Sequence, residues 1–327
     1  MKPVERIAAP SRRALLKSIA ASAAVTAWWR PALSDTLANE TTALIAKPGT
    51  APLRGNGEPS TAIWGYNGIS PGPVLRVKQG DELRVRLVNQ LEQPTSLHWH
   101  GLRIVNAMDG VPGLTQEAVA PGQQFDYSFK CPDAGTFWYH PHILSSEQVA
   151  RGLHGILIVD ELEPPEVDQD LIFAVDDWRL DKAGQIHAAS FGSVMERAHG
   201  GRYGNTFTLN GQTNANVPVK AGERIRIRLC NVSNANVFGL KIDDHQARVI
   251  AIDGQPVTPF EPAEGFIILA TAQRADVILD ASAKPGTRSR IRLVTYDGEE
   301  TLGQLVYHET ERRREKPLTS PVVLPAN

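Results

Sequence analysis

The chain has 327 residues, of which 42% are hydrophobic and 21% are charged. This composition supplies enough apolar surface for a buried core and excludes wholesale disorder. The 34 basic and 36 acidic residues give a formal net charge of −2, which argues against a nucleic-acid partner bound through bulk charge. The two cysteines allow at most one disulfide and exclude a cysteine-rich scaffold or a four-cysteine zinc site.

The amino-terminal region has the pattern of an export signal. Arg12 and Arg13 precede a short apolar stretch, Ser18–Trp29, that is rich in small residues. This stretch is too short for a membrane anchor, because about 20 apolar residues are needed to cross a bilayer, so no transmembrane segment is expected. The alternative is a chance basic pair ahead of a buried helix. We predict that residues 1–38 form a twin-arginine signal and that the protein is exported to the periplasm.

After residue 40 the sequence alternates apolar and charged residues with a period of two. The clearest case is Asp81–Asn89 (DELRVRLVN), which is typical of a strand with one face buried and the other in solvent. Turns such as Pro71–Pro73 and Asp133–Gly135 separate these runs, and no long amphipathic helix pattern occurs. The sequence therefore predicts an all-β fold built of β-sandwiches.

One segment of this pattern occurs twice. Val77–Asn89 and Val219–Asn231 align without a gap at an offset of 142 residues, and most of the aligned pairs are identical or similar. A period this long is too large for a solenoid and predicts two duplicated domains. The predicted division is a signal region at 1–38, a first domain at 39–160, a linker at 161–169, a second domain at 170–309 and a linker-like tail at 310–327.

Two His-x-His motifs stand out among the nine histidines, His-Trp-His at 98–100 and His-Pro-His at 140–142. Residues i and i+2 of a strand point to the same face, roughly 6–7 Å apart, so each motif presents two imidazoles to one side. Two such motifs brought together would form a multi-metal centre. Imidazole binds copper, zinc, iron or nickel, so the spacing does not name the metal. The alternative is four independent histidines that are solvated or hydrogen-bonded.

On chemistry alone, a zinc hydrolase is the main rival, because His-x-His also builds zinc sites. Such an enzyme needs a general base, and no motif places a carboxylate for that role.

Four segments carry a resemblance to a known family: His98–Gly101 (HWHG), Asp109–Gly113 (DGVPG), Thr136–His142 (TFWYHPH) and Gly152–Val159 (GLHGILIV). Together they resemble the first domain of bacterial multicopper oxidases of the laccase-like group, and the whole resemblance spans about residues 45–310. It implies two cupredoxin-like Greek-key β-sandwich domains, which agrees with the strand pattern and the repeat.

The resemblance also implies a cofactor, reactants and site residues. In this family a type 1 copper passes electrons from a reducing substrate to a trinuclear copper centre, which reduces dioxygen to water. His98 then matches a ligand of type 2 copper, and His100, His140 and His142 match ligands of type 3 copper. Asp109 matches an acidic residue that assists proton delivery. The alternative for Asp109 is turn chemistry in an Asp-Gly pair.

The chain departs from the family pattern in one large respect. The two motifs supply half of the histidines of the family's trinuclear centre, and the partner motifs, His-Pro-x-His-x-His and His-Cys-His, do not occur in the sequence. Cys131 and Cys230 lack flanking histidines, so neither matches a type 1 copper ligand. They are expected to be small buried residues or a loose disulfide.

Three interpretations remain open at this point. The chain is a truncated multicopper oxidase that does not turn over alone, or a non-catalytic periplasmic copper-binding or structural protein on the same scaffold. In the third interpretation a separate third-domain chain completes the oxidase.

Overall fold

The computed structural model describes residues 40–55, 57–316, 318 and 320–327. The predicted signal region at 1–38 lies outside the described residues. Within the described part of the chain, the helices are too short and too polar to cross a membrane.

The strands of the first half form two four-stranded sheets, with the orders β2-β1-β4-β6 and β3-β8-β7-β5. The bounds are β1 (Thr41–Ala51), β2 (Thr61–Tyr66), β3 (Leu75–Lys78), β4 (Glu82–Asn89), β5 (His98–His100), β6 (Gln124–Lys130), β7 (Gly135–His140) and β8 (Gly155–Asp160). The period-two pattern of β4 behaves as predicted. Leu83 and Leu87 are fully buried in the core, whereas Arg84 and Arg86 face solvent and pair with surface carboxylates.

The second half also forms two sheets, with the orders β10-β9-β12-β17-β14-β15 and β11-β19-β18-β13-β16. The bounds are β9 (Gln169–Trp178), β10 (Thr206–Leu209), β11 (Ala215–Ala221), β12 (Arg224–Asn231), β13 (Phe238–Ile242), β14 (Ala247–Ile252), β15 (Gln255–Phe260), β16 (Ile267–Leu269), β17 (Arg274–Asp280), β18 (Arg288–Thr295) and β19 (Gly298–Arg312). Among the residues that the structure describes, helical structure is confined to single turns at Asn106–Met108, Ser145–Gln148, Ala188–Ser190, Glu196–Gly200 and Ala263–Gly265.

The two halves share one topology, as the repeat predicted. The repeated segment forms β3 and β4 in the first half and β11 and β12 in the second. Strand β4 pairs parallel with β1 and antiparallel with β6, and β12 pairs parallel with β9 and antiparallel with β17. The last residue of each copy makes the same kind of contact, since the buried Asn89 and Asn231 side chains each donate to a backbone carbonyl of the loop that follows, at Gln93 and Asn236. The fold is all-β, with two β-sandwich domains.

The two sandwiches bury a common face. All residues of β7 and of β12 are buried, because one face of each strand packs in its own domain core and the other faces the neighbouring domain. The apolar part of this interface is made by Trp138, Val149, Ile156 and Ile158 of the first domain and Ile172, Ala174, Cys230 and Val232 of the second. Cys230 is thus buried in the interface and Cys131 in the first-domain core, and both are free thiols, not a disulfide.

Charged residues fill the remainder of the interface, which the alternating pattern did not predict. Arg226 and Arg228 of β12 have side chains only 1% exposed. Arg226 donates to Glu161 and Asp276, and Arg228 donates to Asp170. A buried guanidinium is tolerated only when carboxylates and other acceptors replace its hydration shell. The face that would meet solvent in an isolated strand is thus covered by the other domain.

The segment after residue 310, predicted as a linker-like tail, packs against both domains. Strand β19 continues to Arg312, and Arg224 then donates to the backbone carbonyls of residues 318 and 320. Leu324 is buried against Ile250 and Ile278 of the second domain. The Asn327 side chain bonds backbone groups of both domains.

A pair of adjacent carboxylates lies buried near the domain boundary at the end of β9. Asp176 is 3.2 Å from Nε2 of His154, a residue of the first domain. The Asp177 carboxylate accepts hydrogen bonds from the backbone N–H of Gly204 and from the Asn236 side chain. Burial, together with the neighbouring charge of Asp176, raises the pKa of Asp177 to about 6.

This raised pKa predicts a pH-dependent stability. Between pH 8 and pH 5 the native Asp177 takes up a proton that the unfolded chain, with an Asp pKa near 3.9, does not, so its contribution to stability rises as pH falls through 6. Asp177→Asn removes this contribution. From pH 8 to pH 5 the free energy of unfolding of the natural chain should rise relative to that of the variant by on the order of 1 kcal/mol.

Urea unfolding at both pH values measures the free energy of unfolding of each protein. Subtracting the value for the variant from that for the natural chain cancels the opposite titration of the buried histidines, because both proteins contain them. Asp126→Asn is the matched control, because the pKa of that surface carboxyl is lowered by hydrogen bonding to Arg86 and it stays ionised over this range. Equal pH dependence in Asp177→Asn and the natural chain would contradict the prediction.

Candidate metal centre

The two His-x-His motifs lie side by side on one sheet. In the antiparallel pair β5–β7, His98 lies opposite His140, and His100 lies opposite Trp138. Side chains alternate between the faces of a strand, so these three histidines and Trp138 share the face that points away from the first-domain core. The alternate residues, Trp99 and Tyr139, are fully buried in that core. The core packing of these aromatic residues fixes the direction of the histidines.

The four imidazoles converge. Ring centroids are 5.4 Å apart for His98 and His140, 5.5 Å for His100 and His140, and 5.0 Å for His98 and His142. One ring nitrogen from each of His98, His100 and His140 lies within 4.8 Å of the others. His142 lies just beyond the end of β7, and its backbone N–H donates to Oγ of Ser96 at 2.9 Å.

Hydrogen bonds select the nitrogens that are free to bind an ion. Nδ1 of His98 is 2.8 Å from the carbonyl oxygen of Asp109, and Nδ1 of His140 is 2.9 Å from that of Pro141. A carbonyl only accepts, so each Nδ1 carries the hydrogen and each Nε2 keeps its lone pair. Nδ1 of His100 is 3.3 Å from Nε2 of His140. Two nitrogens held about 2.0 Å from one ion at a tetrahedral angle lie roughly 3.3 Å apart, so this pair fits a shared metal ion.

The environment keeps these rings neutral. Burial lowers the pKa of His98, of His140 and of His100, the last to about 4. The next contributor for His100 is the positive charge of Arg274, a second-domain residue. A metal competes with protons for the imidazole lone pair, so a lowered pKa favours metal binding near neutral pH.

Asp109 lies beside the cluster and also in a turn, so the two alternatives for this residue do not exclude each other. Its carboxylate oxygen Oδ1 is 3.4 Å from Nδ1 of His98, and the side chain is 30% exposed. Gly110 follows with a φ of +75°, and a Cβ there would lie 1.9 Å from the carbonyl oxygen of Leu97. The tight Asp-Gly turn therefore positions Asp109 against His98.

Sequence reasoning did not assign a role to two residues of the site. Trp138 stacks on His140 with a centroid distance of 4.0 Å and an interplanar angle of 26°. Its position two residues before His140 on a strand is a signal that places it on the histidine face. Arg274 reaches the site from the second domain, and no local pattern could indicate a contact over such a sequence separation.

One side of the cluster faces a cavity of about 550 Å³ between the domains. His100, His140 and His142 line one wall, and second-domain residues such as Ser190 and Asn234 line another. Small molecules can therefore reach the histidines from this side. The two cysteines take no part in the cluster, and burial raises the pKa of each thiol to about 12.

Comparisons with known proteins agree with this arrangement. Two family models described as multicopper oxidase match the chain, one over residues 49–164 and the other over residues 169–295. These matches correspond to the two sandwiches and together cover more than half of the chain.

Individual relatives point the same way. Copper resistance protein A of Pseudomonas syringae pv. tomato is 32% identical over 334 residues, which cover 85% of this chain and 53% of that protein. The chain thus spans about half the length of the curated relatives it matches. The structure resembles Lac15 from a marine microbial metagenome, with a TM-score of 0.76, 41% identity, and coverage of 88% of this chain and 71% of Lac15.

A multi-copper oxidase from Pseudomonas thermotolerans gives a TM-score of 0.79 at 36% identity, with coverage of 88% of this chain and 67% of that one. Sequence models, relatives and fold agree, and the sandwiches are accordingly of the cupredoxin type. The chain therefore belongs to the multicopper oxidase family and uses that family's cofactor, copper.

Proposed function

We propose that this chain supplies one half of the trinuclear copper centre of an oxidase. That oxidase couples the oxidation of a reducing substrate to the reduction of dioxygen to water. The observation that carries the proposal is the convergence of four imidazoles on one face, with ring nitrogens of His98, His100 and His140 within 4.8 Å of one another. The lowered pKa values of these three rings support it, because neutral imidazole is the ligand that copper requires.

In this proposal each histidine has a stated role. His98 is the ligand of type 2 copper through its free Nε2, and His100, His140 and His142 are ligands of type 3 copper. The 3.3 Å separation between Nδ1 of His100 and Nε2 of His140 supports a shared ion for that pair. Bound copper would supply the one-electron redox chemistry that dioxygen reduction needs.

The residues around the cluster orient the ligands and handle protons. The carbonyls of Asp109 and Pro141 fix the rings of His98 and His140, and the Trp138 ring covers one side of His140. The Asp109 carboxylate lies between solvent and His98, so it can pass protons from water toward the cluster. Dioxygen reduction consumes protons, and a partly exposed carboxylate at this place suits such a relay.

A complementary segment is part of the proposal, because the 327 residues contain neither of the partner motifs nor a cysteine flanked by histidines. A third domain carrying those motifs would complete the centre. The second candidate function is copper binding without turnover, because ring nitrogens of His98, His100 and His140 within 4.8 Å of one another can hold an ion without a redox partner.

Copper loading tests the half-centre. After metal-free purification, the natural chain should bind Cu²⁺ at this site, and His100→Ala or His140→Ala should lower the bound copper by at least half while leaving the fold intact. Equilibrium dialysis with elemental analysis gives the stoichiometry, and electron paramagnetic resonance gives the nitrogen coordination. His199→Ala, at an exposed histidine outside the cluster, is the control. Equal copper content in all four proteins would refute the proposed ligands.

Oxygen consumption separates the two functions. We expect little activity from this chain alone and activity after addition of a domain that carries the two partner motifs. In that assembly Asp109→Asn should keep its copper and lower the turnover rate by roughly 100-fold, the size of a lost proton-transfer step. An oxygen electrode measures the rate. Copper binding without any activity in the assembly would favour the non-catalytic alternative.

We also infer export by the twin-arginine route. Arg12 and Arg13 ahead of the apolar stretch support it, although this region lies outside the described residues. Changing both residues to lysine should leave the protein in the cytoplasm, because the route reads the arginine pair. Cell fractionation with a matched Lys17→Arg control measures the effect. Unchanged export of the double variant would exclude this route.

A further inference from the structure

A buried arginine of the second domain, Arg274, lies against the strands that carry the histidines. Arg274, the first residue of β17, forms an ion pair with Asp253 at 2.9 Å and donates from Nη1 to the carbonyl of Ala272 at 3.0 Å. Its Nε crosses the domain boundary and donates to the carbonyl of Thr136 at 3.3 Å. Thr136 lies in β7, four residues before His140. The guanidinium is therefore fixed by its own domain and held against the other.

The same guanidinium packs against the residue that follows His100. Nη2 of Arg274 lies 2.2 Å from the position that a Cβ of Gly101 would take. Gly101 has a φ of +89°, at the point where the chain leaves β5 and turns, and the turn is closed by the hydrogen bond from Leu102 N–H to Trp99 C=O at 3.2 Å. Glycine is required here for its backbone conformation and for the space that Arg274 fills.

Both strands that carry the histidines thus contact one second-domain side chain. Arg274 packs against Gly101, the residue that follows β5, and it donates a hydrogen bond to Thr136 of β7. Asp253 orients the arginine twice, because its carboxylate also accepts from the backbone N–H of Arg274 at 3.0 Å. The turn next to Asp253 packs equally closely, since a Cβ at Gly254 would lie 2.8 Å from the ring of Phe137 in β7.

We propose that Arg274 is a positioning residue for the copper cluster, which fixes the turn at Gly101 and thereby the direction of the His100 ring. The proposal rests on the proposed function of His100 as a copper ligand. It gives the second domain a part in the metal centre although that domain contributes no histidine to it. Partners behind metal ligands commonly set ligand orientation, and their loss weakens metal binding about 10- to 100-fold.

A matched control distinguishes positioning from general support of the interface. Arg76 is also a buried arginine at the domain boundary, and it bonds Asp160 of the first domain and Asp170 of the second. Its side-chain partners lie outside β5 and β7. Arg76→Gln should therefore weaken the interface without disturbing the turn at Gly101.

The first measurement is amide hydrogen exchange in the metal-free chain. Arg274→Gln should speed exchange of the Leu102 amide at least about tenfold, because the anchored guanidinium that packs against Gly101 is lost and the turn opens more easily. Arg274→Lys should restore part of the protection, since an ammonium replaces the charge but cannot bond several acceptors in a fixed plane. Arg76→Gln should leave this amide unchanged. Equal exchange in Arg274→Gln and Arg76→Gln would overturn the proposal.

The second measurement is Cu²⁺ affinity and the electron paramagnetic resonance spectrum. Arg274→Gln should bind copper about 10- to 100-fold more weakly with an altered spectrum, while Arg76→Gln keeps the natural values. Unchanged affinity and spectrum in a folded Arg274→Gln protein would also refute the positioning role. If the natural chain itself binds no copper, the proposed function fails, and the exchange comparison still decides whether Arg274 fixes the turn.

Discussion

The packing of the two sandwiches against each other governs how the domains are arranged and how the histidines are presented. The sheet β3-β8-β7-β5 is covered by its own core on one face and partly by the second domain on the other. Arg226 and Arg228 are buried in this contact, and desolvation of two guanidinium groups is costly unless each keeps its carboxylates. Asp170 and Asp276 of the second domain and Glu161, the residue after the last strand of the first, supply those carboxylates. The domains are therefore held in one relative arrangement.

This arrangement determines the histidine face. Strand β7 has one side in the first-domain core and the other against the second domain, so it has little freedom to shift, and β5 is paired to it in register. The imidazoles project into the space that remains open beside the interface. Their free nitrogens converge because Asp109 and Pro141 bind the opposite nitrogens through backbone carbonyls. Rigidity of the scaffold and orientation of the histidines are thus two consequences of the same packing.

The duplicated segment shows how one pattern serves two environments. Arg84 and Arg86 of β4 are 42% and 44% exposed and form surface ion pairs, which contribute little to stability. Their counterparts at the offset of 142 residues, Arg226 and Arg228, are 1% exposed. The local sequence is nearly the same in both copies. Only the neighbour differs, since β4 faces water and β12 faces the other domain.

Patterns between residues close together in the chain were enough to predict the strands, the two domains and the histidine pairs. The period of two and the turn residues specified strands, the repeat specified two domains of one topology, and the spacing of the two motifs put pairs of imidazoles on one strand face. These features depend on residues close together in the chain, where backbone geometry alone dictates which side chains share a face. The motifs with Asp109 were also sufficient for the family resemblance.

The surroundings of those strands and histidines became known only from the folded chain. The burial of Arg226 and the approach of Arg274 to Gly101 both depend on contacts between residues far apart in sequence. Alternation of apolar and charged residues indicates that a strand has an apolar and a charged face. It does not indicate whether solvent or another domain covers the charged face. The free energy of a charged side chain depends on that covering, because burial removes its hydration and requires partners that only the folded chain provides.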